Sequence, residues 1–358
     1  MIILTILVFI IAIGLFVFFH ELGHFIAAKR AGVKVEEFAF GFPPTIYKKK
    51  IGETTYAINA IPIGGYVKLY GEDSDIKNPR SFSSKSLLSR FWIIFAGVLM
   101  NVIFTWVLFA IGYNIGMPST TIPPDNIRSK SIENQLIVSG VAKDSPAQNA
   151  GLSTGDIIVS VNGQIITGEN QLANITKAQK GQVIDIEVSR YGSIKDYNIQ
   201  LAKSSETPLG IEYVLATKIK TGFWQSIYYG FLETINLLWL IILAIVKLII
   251  AIFTPEQVSE AVTGPIGIWF LFKSAVKLGW VYVIQLTAII SAHLAIINFL
   301  PFPALDGGRF VFLLIELFRG GKKVNAKIEG IVHLIGFAFL ILLMILITYR
   351  DIIRNLIK

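Results

Sequence analysis

The 358-residue chain contains no cysteine. A disulfide framework is therefore excluded, and so is any metal site built on thiolates. A bound metal ion would need histidine, aspartate or glutamate as ligands, and histidine is itself scarce, with four residues in the whole chain.

Charged residues are also few. They form 16% of the chain, compared with about 25% in an average soluble domain. Hydrophobic residues reach 53%, mean hydropathy is +0.63, and the apolar residues fall in long runs. These features exclude a purely soluble enzyme, a disordered chain and a fibrous repeat, and they predict a polytopic α-helical membrane protein. The net charge of +8 comes from basic residues beside the apolar runs, which indicates a membrane surface and not nucleic acid.

Four apolar runs predict about four transmembrane helices. They cover residues 2–19, 91–112, 280–300 and 331–348. The first run has no basic segment before it and no small-residue cleavage motif after it, so we expect a span and not a cleaved signal peptide. A fifth run, 223–253, contains Glu233 and Lys247, and we interpret it as part of an interfacial or re-entrant helix pair. The alternative for this run is an additional span.

Basic residues predict the side of the membrane on which each loop lies. Region 29–90 has eleven Lys or Arg against six Asp or Glu, and the loop 311–330 is also basic, so both are predicted to be cytoplasmic. The balanced region 117–222 and the N-terminus are predicted to lie outside the cytoplasm. The same alternation places the C-terminal tail outside, although its basic residues argue against that side. We therefore expect a multi-pass membrane protein.

These predictions divide the chain into nine segments. In order, they are the first transmembrane helix (1–28), a cytoplasmic-side β-hairpin region (29–90), the second transmembrane helix (91–116), an extracytoplasmic region (117–222), interfacial or re-entrant helices (223–279), the third transmembrane helix (280–310), a cytoplasmic loop (311–330), the fourth transmembrane helix (331–350) and a tail (351–358).

An H-E-x-x-H motif lies at the cytoplasmic end of the first span, as His-Glu-Leu-Gly-His. On a helix, His20 and His24 share one face a turn apart, so both imidazoles can bind one Zn²⁺ and Glu21 can act as a general base. So short a pattern also arises by chance, but ionisable residues inside a membrane are costly unless they are used. The sequence therefore predicts a zinc site within the membrane.

Two histidines leave a catalytic zinc ion one protein ligand short. Asp306 is the candidate, because the first and third spans run in the same direction and would place it at the depth of the histidines. Two prolines break the helix before it, and two glycines after it let the chain bend. The alternative for Asp306 is an ordinary helix N-cap. His293 and His333 are interpreted as packing or hydrogen-bonding residues.

The H-E-L-G-H motif of the first span and the N-x-x-P-x-P-x-L-D-G-G motif of the third resemble the site-2 protease family of intramembrane zinc proteases, in particular its bacterial regulator-of-sigma-E protease branch. The resemblance implies that His20, His24 and Asp306 bind zinc and that Glu21 is the catalytic base. It also implies that Asn298 takes part in substrate handling and that the protein lies in the bacterial inner membrane.

The segment 54–69 resembles the membrane-associated β-hairpin of the same branch. Strand-forming residues surround Gly64 and Gly65, which we interpret as the turn. We expect an edge strand that captures the substrate as an added strand, in contact with Gly64, Gly65 and Tyr66. The alternative is a hairpin that only covers the site.

Residues 133–203 resemble one inserted PDZ domain. A short helix over 146–150 ended by Gly151, a strand over 157–161 and an Asn-Gly turn carry the resemblance. PDZ domains bind extended peptides by strand addition. We favour a bulky filter for substrates over a ligand sensor, because no peptide pocket can be identified from the sequence.

The expected function is regulated intramembrane proteolysis by a zinc metalloprotease. The expected substrate is a single-span protein, such as an anti-sigma factor or a remnant signal peptide, cut in or near its transmembrane helix. The alternative is a membrane-anchored zinc protease that cleaves juxtamembrane or soluble segments. A non-enzymatic PDZ scaffold would have lost Glu21 or a ligand, and a transporter would need inverted repeats; neither fits this sequence.

Overall fold

The computed structural model of the protein describes residues 2–72, 74–252 and 264–356. Its helices are α1 (Ile2–Arg30), α2 (Leu87–Ile115), α3 (Pro146–Ala150), α4 (Glu169–Ala178), α5 (Phe223–Ile252), α6 (Pro265–Leu278), α7 (Trp280–Phe299), α8 (Asp306–Phe318) and α9 (Ala326–Leu356). Its strands are β1 (Val35–Ile51), β2 (Thr54–Leu69), β3 (Met117–Pro118), β4 (Ser131–Val141), β5 (Ile157–Val161), β6 (Gln164–Ile165), β7 (Val183–Arg190), β8 (Ser193–Gln200) and β9 (Ile211–Lys220).

Five helices within the described residues are long and apolar enough to cross a membrane: α1, α2, α5, α7 and α9. The sequence predicted about four. The additional candidate, α5, is one continuous helix of 30 residues where an interfacial or re-entrant pair was expected. Phe253, the last residue of that predicted run, lies outside the described residues. An interfacial position for α5 remains a prediction.

The carboxylate of Glu233 in α5 is fully buried and hydrogen-bonded within the protein. It accepts hydrogen bonds from the backbone N–H groups of Thr120 and Thr121 at 2.7 and 2.8 Å. It also accepts from the hydroxyls of Tyr113 and Ser119 at 2.8 and 3.0 Å. Because these four donors replace water, Glu233 does not by itself exclude α5 from a bilayer.

The described chain divides into two compact units. The first contains Met1–Trp106, Leu237–Phe270 and Thr287–Lys358, and the second contains Val107–Asn236 and Leu271–Leu286. In the first unit, one apolar core joins the end of α1, the outer ends of β1 and β2, the start of α2 and α8. Its buried members are Ala28, Val33, Val35, Leu69, Phe82, Ile93, Ile94 and Leu313.

The turn of the β1–β2 hairpin lies at Gly52 and Glu53, because Ile51 pairs with Thr54. The prediction that Gly64 and Gly65 form the turn is wrong: both lie inside β2. The reason for glycine there is close approach. A Cβ on Gly64 would lie 2.3 Å from the Phe42 ring, and one on Gly65 would lie 2.9 Å from the Ala39 carbonyl oxygen.

Both strands of the hairpin fold back on themselves. Residues 37–40 pair with 65–68 on one side and with 55–58 on the other, while 45–51 pair with 54–59. The order across the sheet is therefore 45–51, 54–59, 35–40 and 65–69. The two outer segments have an open edge, and we call 65–69 the inner edge strand and 45–51 the outer edge strand.

The second unit is built on a sheet in the order β3-β9-β4-β5-β7-β8, with β6 paired to β5. The predicted short helix is confirmed as α3: Ser145 caps its start and Gly151, at φ 89°, ends it. The predicted turn is confirmed as well, since Asn162 and Gly163 both have positive φ between β5 and β6. Fifteen buried apolar residues pack inside this unit.

Candidate metal centre

The two histidines of the H-E-x-x-H motif meet on one face of α1. Their Nε2 atoms are 3.3 Å apart. His20 is buried, at 8% exposure. The predicted helical spacing of the imidazoles is confirmed.

Asp306 joins the histidines from a distant part of the chain. Its Oδ2 lies 3.1 Å from Nε2 of His20 and 3.3 Å from Nε2 of His24. This oxygen is buried and accepts no hydrogen bond from the described residues. A carboxylate oxygen between two imidazole nitrogens, without a hydrogen bond, has the surroundings of a ligand that shares a metal ion with them. The donor set of two imidazoles and one carboxylate fits zinc.

Asp306 is the first residue of α8, and Leu305 is the N-cap. The alternative role of Asp306 as an N-cap is therefore wrong. The two glycines that follow allow the start of α8 to pack closely on the preceding turn. A Cβ on Gly307 would lie 2.1 Å from the Leu300 carbonyl oxygen, and a Cβ on Gly308 would lie 2.4 Å from the Phe302 carbonyl oxygen. This tight start points the carboxylate back to α1.

The second helix orients both imidazoles. Nδ1 of His24 donates to the Ile93 carbonyl oxygen at 2.8 Å, so its Nε2 presents a lone pair to the centre. The fully buried carboxamide of Asn101 lies 3.4 Å from Nδ1 of His20. Sequence reasoning missed both contacts. Asn101 left a signal, as a polar residue inside an apolar span, whereas a backbone carbonyl leaves none.

Glycine at position 97 makes room for the imidazoles. A Cβ there would lie 2.3 Å from Nε2 of His24 and 2.9 Å from Cε1 of His20. No ordinary contact is that short, so α2 can approach the histidines only through this glycine.

Gly97→Ala is expected to weaken zinc binding by at least about tenfold, the loss typical of a disturbed outer shell, because the methyl group displaces an imidazole. Zinc content after dialysis against a graded chelator measures the effect. Gly330→Ala is the matched control, since a Cβ on Gly330 meets no atom within 4 Å. Equal zinc retention by the two variants would contradict the expectation.

The predicted substrate residues separate into two groups. Nδ2 of Asn298 lies 3.4 Å from Nε2 of His20, and a Cβ on Gly65 would lie 3.3 Å from Cγ of Glu21, so both positions adjoin the centre. The Tyr66 hydroxyl instead donates to Glu37 at 2.9 Å, and Gly64 packs against a ring of its own sheet. The inner edge strand therefore passes beside Glu21 at Gly65.

The other two histidines lie apart from the centre. Nδ1 of His293 donates to the Ile289 carbonyl oxygen at 2.8 Å, and the side chain is exposed. Nδ1 of His333 accepts from the backbone N–H of Ala304 at 2.8 Å. The hydrogen-bonding role predicted for both is confirmed.

A buried ion pair holds α8, and with it Asp306, against the start of α2. The guanidinium of Arg90 donates to both carboxylate oxygens of Glu316, at 2.9 and 2.5 Å. Both side chains are 8% exposed. Nothing in the sequence indicated this pair, because its members are 226 residues apart.

Glu316→Leu is expected to lower the free energy of unfolding by about 3–5 kcal/mol, because it leaves the Arg90 charge buried without its carboxylate. Denaturant titration in detergent micelles measures the change. The double variant Arg90→Leu with Glu316→Leu should recover most of the loss. Lys323→Gln, which removes an exposed pair with Asp75, is the control and should change little. A loss no larger than that of the control would refute the expectation.

Comparison with known proteins places the chain in a family. The model of Peptidase family M50 matches residues 8–343. A Clostridium acetobutylicum protein whose name proposes a zinc metalloprotease is 35% identical over 350 residues, which cover 98% of this chain and 97% of that protein. The zinc metalloprotease RasP of Bacillus licheniformis is 30% identical, with coverage of 98% and 99%. The regulator of sigma-W protease RasP of Bacillus subtilis is 28% identical, with 98% of each chain covered.

The match covers the segments that carry the H-E-x-x-H motif and Asp306. Two of these three relatives are named for zinc, the metal that the donor set fits. Several helices long enough to span a membrane agree with a multi-pass membrane protein. The chain belongs to Peptidase family M50, the site-2 protease family, and is a zinc-dependent metalloendopeptidase.

Proposed function

We propose that the protein hydrolyses a peptide bond in or next to a transmembrane helix of a membrane-anchored substrate, with zinc held by His20, His24 and Asp306. The observation that carries the proposal is the approach of three ligand atoms to within 4.8 Å of one another. The histidines belong to one candidate span, and Asp306 follows the end of another within seven residues. A membrane-anchored protease that cuts only soluble or juxtamembrane segments would instead place its metal site in a domain outside the lipid.

The chemistry that zinc supplies when bound is Lewis acidity, which polarises a carbonyl group and makes water more acidic. Glu21 takes the proton from the attacking water on its carboxylate and passes it to the leaving amine. The Ile93 carbonyl oxygen accepts a hydrogen bond from Nδ1 of His24 and keeps that imidazole in place. The Asn101 carboxamide does the same for His20. The Asn298 amide, beside His20, orients the substrate carbonyl.

The inner edge strand is the proposed binding surface for the substrate backbone. A transmembrane helix hides its carbonyls in hydrogen bonds four residues apart, so it must be unwound before it can be cut. Pairing with 65–69 would satisfy the unwound backbone and bring one carbonyl next to Glu21, which adjoins Gly65. Substrates with a weak helix near the cytoplasmic side should therefore be preferred.

The name of the Bacillus subtilis relative refers to regulation of a sigma factor. On that basis, we propose a membrane-anchored anti-sigma factor as substrate class, with remnant signal peptides as a second class of single-span substrate. The basic region 29–90 supports a cytoplasmic-side active site.

Residues 133–203, within the second unit, are proposed to form a PDZ domain outside the cytoplasm. Its support is local: a capped short helix, the β5 strand and the Asn-Gly turn lie in the predicted order around one apolar core. We propose that it filters substrates by the size of their outer portion. A peptide ligand at this domain is the alternative role.

A single-span reporter helix in reconstituted membranes tests the proposed function. The bond that is cut is located by mass spectrometry. Cleavage within the apolar span supports an intramembrane protease. Cleavage only outside the span overturns that proposal in favour of a membrane-anchored protease that cuts juxtamembrane segments.

A further inference from the structure

The outer edge strand of the sheet carries three consecutive lysines, Lys48, Lys49 and Lys50. All three are exposed. Within the described part of the chain, none of them forms an ion pair. The contrast with neighbouring basic residues is clear, because Lys29 and Arg80 share Glu53, and Lys68 pairs with Glu36.

The rows of the sheet give the depth of these lysines along α1. Lys49 pairs with Tyr56, and Tyr56 pairs with Phe38. The Phe38 ring lies 5.9 Å from the ring of Phe18 and 5.3 Å from that of Phe25, on either side of the H-E-x-x-H motif. The lysine row is therefore level with the metal centre.

One row further along, Tyr47 pairs with Ile58, and Ile58 pairs with Phe40. A Cβ on Gly14 would lie 2.8 Å from the Phe40 ring, so this row reaches still deeper into the apolar part of α1. By contrast, the basic end of α1 at Arg30 is ten residues beyond His20, or about 15 Å along the helix.

Apolar side chains flank the lysines on both sides. Ile46, Tyr47 and Ile51 are 71%, 57% and 58% exposed. In a protein that spans a membrane, exposed apolar side chains at this depth are available to contact acyl chains. Unpaired ammonium groups at the same depth are costly unless they meet an anion or water. The outer edge strand therefore has the composition of a surface that contacts both acyl chains and negatively charged groups.

We propose that the outer edge strand binds the phosphate groups of anionic phospholipids and draws them to the depth of the metal centre. The lysine ammonium groups pair with the lipid phosphates, while Ile46, Tyr47 and Ile51 contact the acyl chains. The polar head groups and their water then surround the sheet at a depth that is otherwise hydrocarbon. This inference concerns lipid binding alone and does not depend on the proposed proteolysis.

The absence of cysteine makes a single-site probe available. Ile46→Cys carries a fluorophore on the otherwise complete protein, reconstituted in vesicles of phosphatidylcholine with a fixed fraction of phosphatidylglycerol. Two vesicle preparations differ only in which lipid has brominated acyl chains. Quenching is divided by the amount of brominated lipid in each preparation. The ratio of the phosphatidylglycerol value to the phosphatidylcholine value reports which lipid is enriched at the strand.

Brominated phosphatidylglycerol is expected to quench about fivefold more than brominated phosphatidylcholine, the preference that one lysine at an anionic surface supplies. Salt should reduce the ratio. Lys48→Gln, Lys49→Gln and Lys50→Gln together should bring it to one, while the same loss of charge at Lys77, Lys322 and Lys327 should leave it unchanged. Full zinc content in both triple variants shows that the fold is intact.

A ratio of one with the lysines intact, or a ratio that survives their removal, overturns the proposal. So does the absence of quenching by either lipid. A label that responds only when a single-span protein with acidic residues is added would show that the strand binds protein and not phospholipid.

Discussion

Replacing Glu21 with glutamine is expected to reduce peptide hydrolysis by at least about 100-fold while the protein keeps its zinc. Glutamine preserves the size of the side chain and its contact with the sheet at Gly65. It cannot take up a proton at neutral pH, so the step in which water is activated loses its base. The three proposed ligands are unchanged, and zinc content should therefore remain at one ion per chain.

The measurement is single-turnover cleavage of the reporter helix together with zinc analysis of the same sample. Glu36→Gln is the matched control, since it removes a carboxylate that pairs with Lys68 at 3.6 Å. Loss of zinc by Glu21→Gln would show that Glu21 is itself part of the metal site. Hydrolysis at the rate of the unmodified protein would show that another group is the base.

Replacing His24 with glutamine is expected to lower zinc affinity by more than about 100-fold and to abolish hydrolysis with it. The expected loss exceeds the 10–100-fold cost of removing a partner from the outer shell, because a ligand itself is removed. The Nδ1 atom of His24 donates to the Ile93 carbonyl oxygen, so the substitution removes an oriented ligand as well as a nitrogen donor.

The chain supplies its own control for the histidine variant. His293→Gln makes the same chemical change in another candidate span, at a side chain bound only to its own helix. It should retain zinc and hydrolysis. Competition with a zinc chelator gives both affinities. If the two variants bind zinc equally, the assignment of His24 as a ligand is wrong.

Local sequence patterns were sufficient to predict that His20, His24 and Asp306 come together. The spacing of His20 and His24 follows from helical geometry alone, and Asp306 follows from the depth of two parallel spans. The partners that orient the ligands could not be predicted from the sequence. A backbone carbonyl at Ile93 has no sequence signature, and the pairing of Arg90 with Glu316 depends on how distant helices pack.

The sheet shows where local patterns mislead. Gly64 and Gly65 have the composition of a turn, and the true turn at Gly52 and Glu53 has a weaker signal. Close packing against Ala39 and Glu21 requires glycine at position 65, and that requirement exists only after the sheet has docked on α1. The same long-range packing folds each strand back and creates the two open edges.

The centre formed by His20, His24 and Asp306 is the basis of the proposed mechanism, and X-ray absorption at the zinc edge tests it most directly. One zinc ion per chain should show two nitrogen neighbours at about 2.0–2.1 Å and a carboxylate oxygen at about 2.0–2.2 Å. Asp306→Leu should lose the carboxylate contribution or the metal. A zinc shell made only of oxygen, or one unchanged by Asp306→Leu, would contradict the assignment.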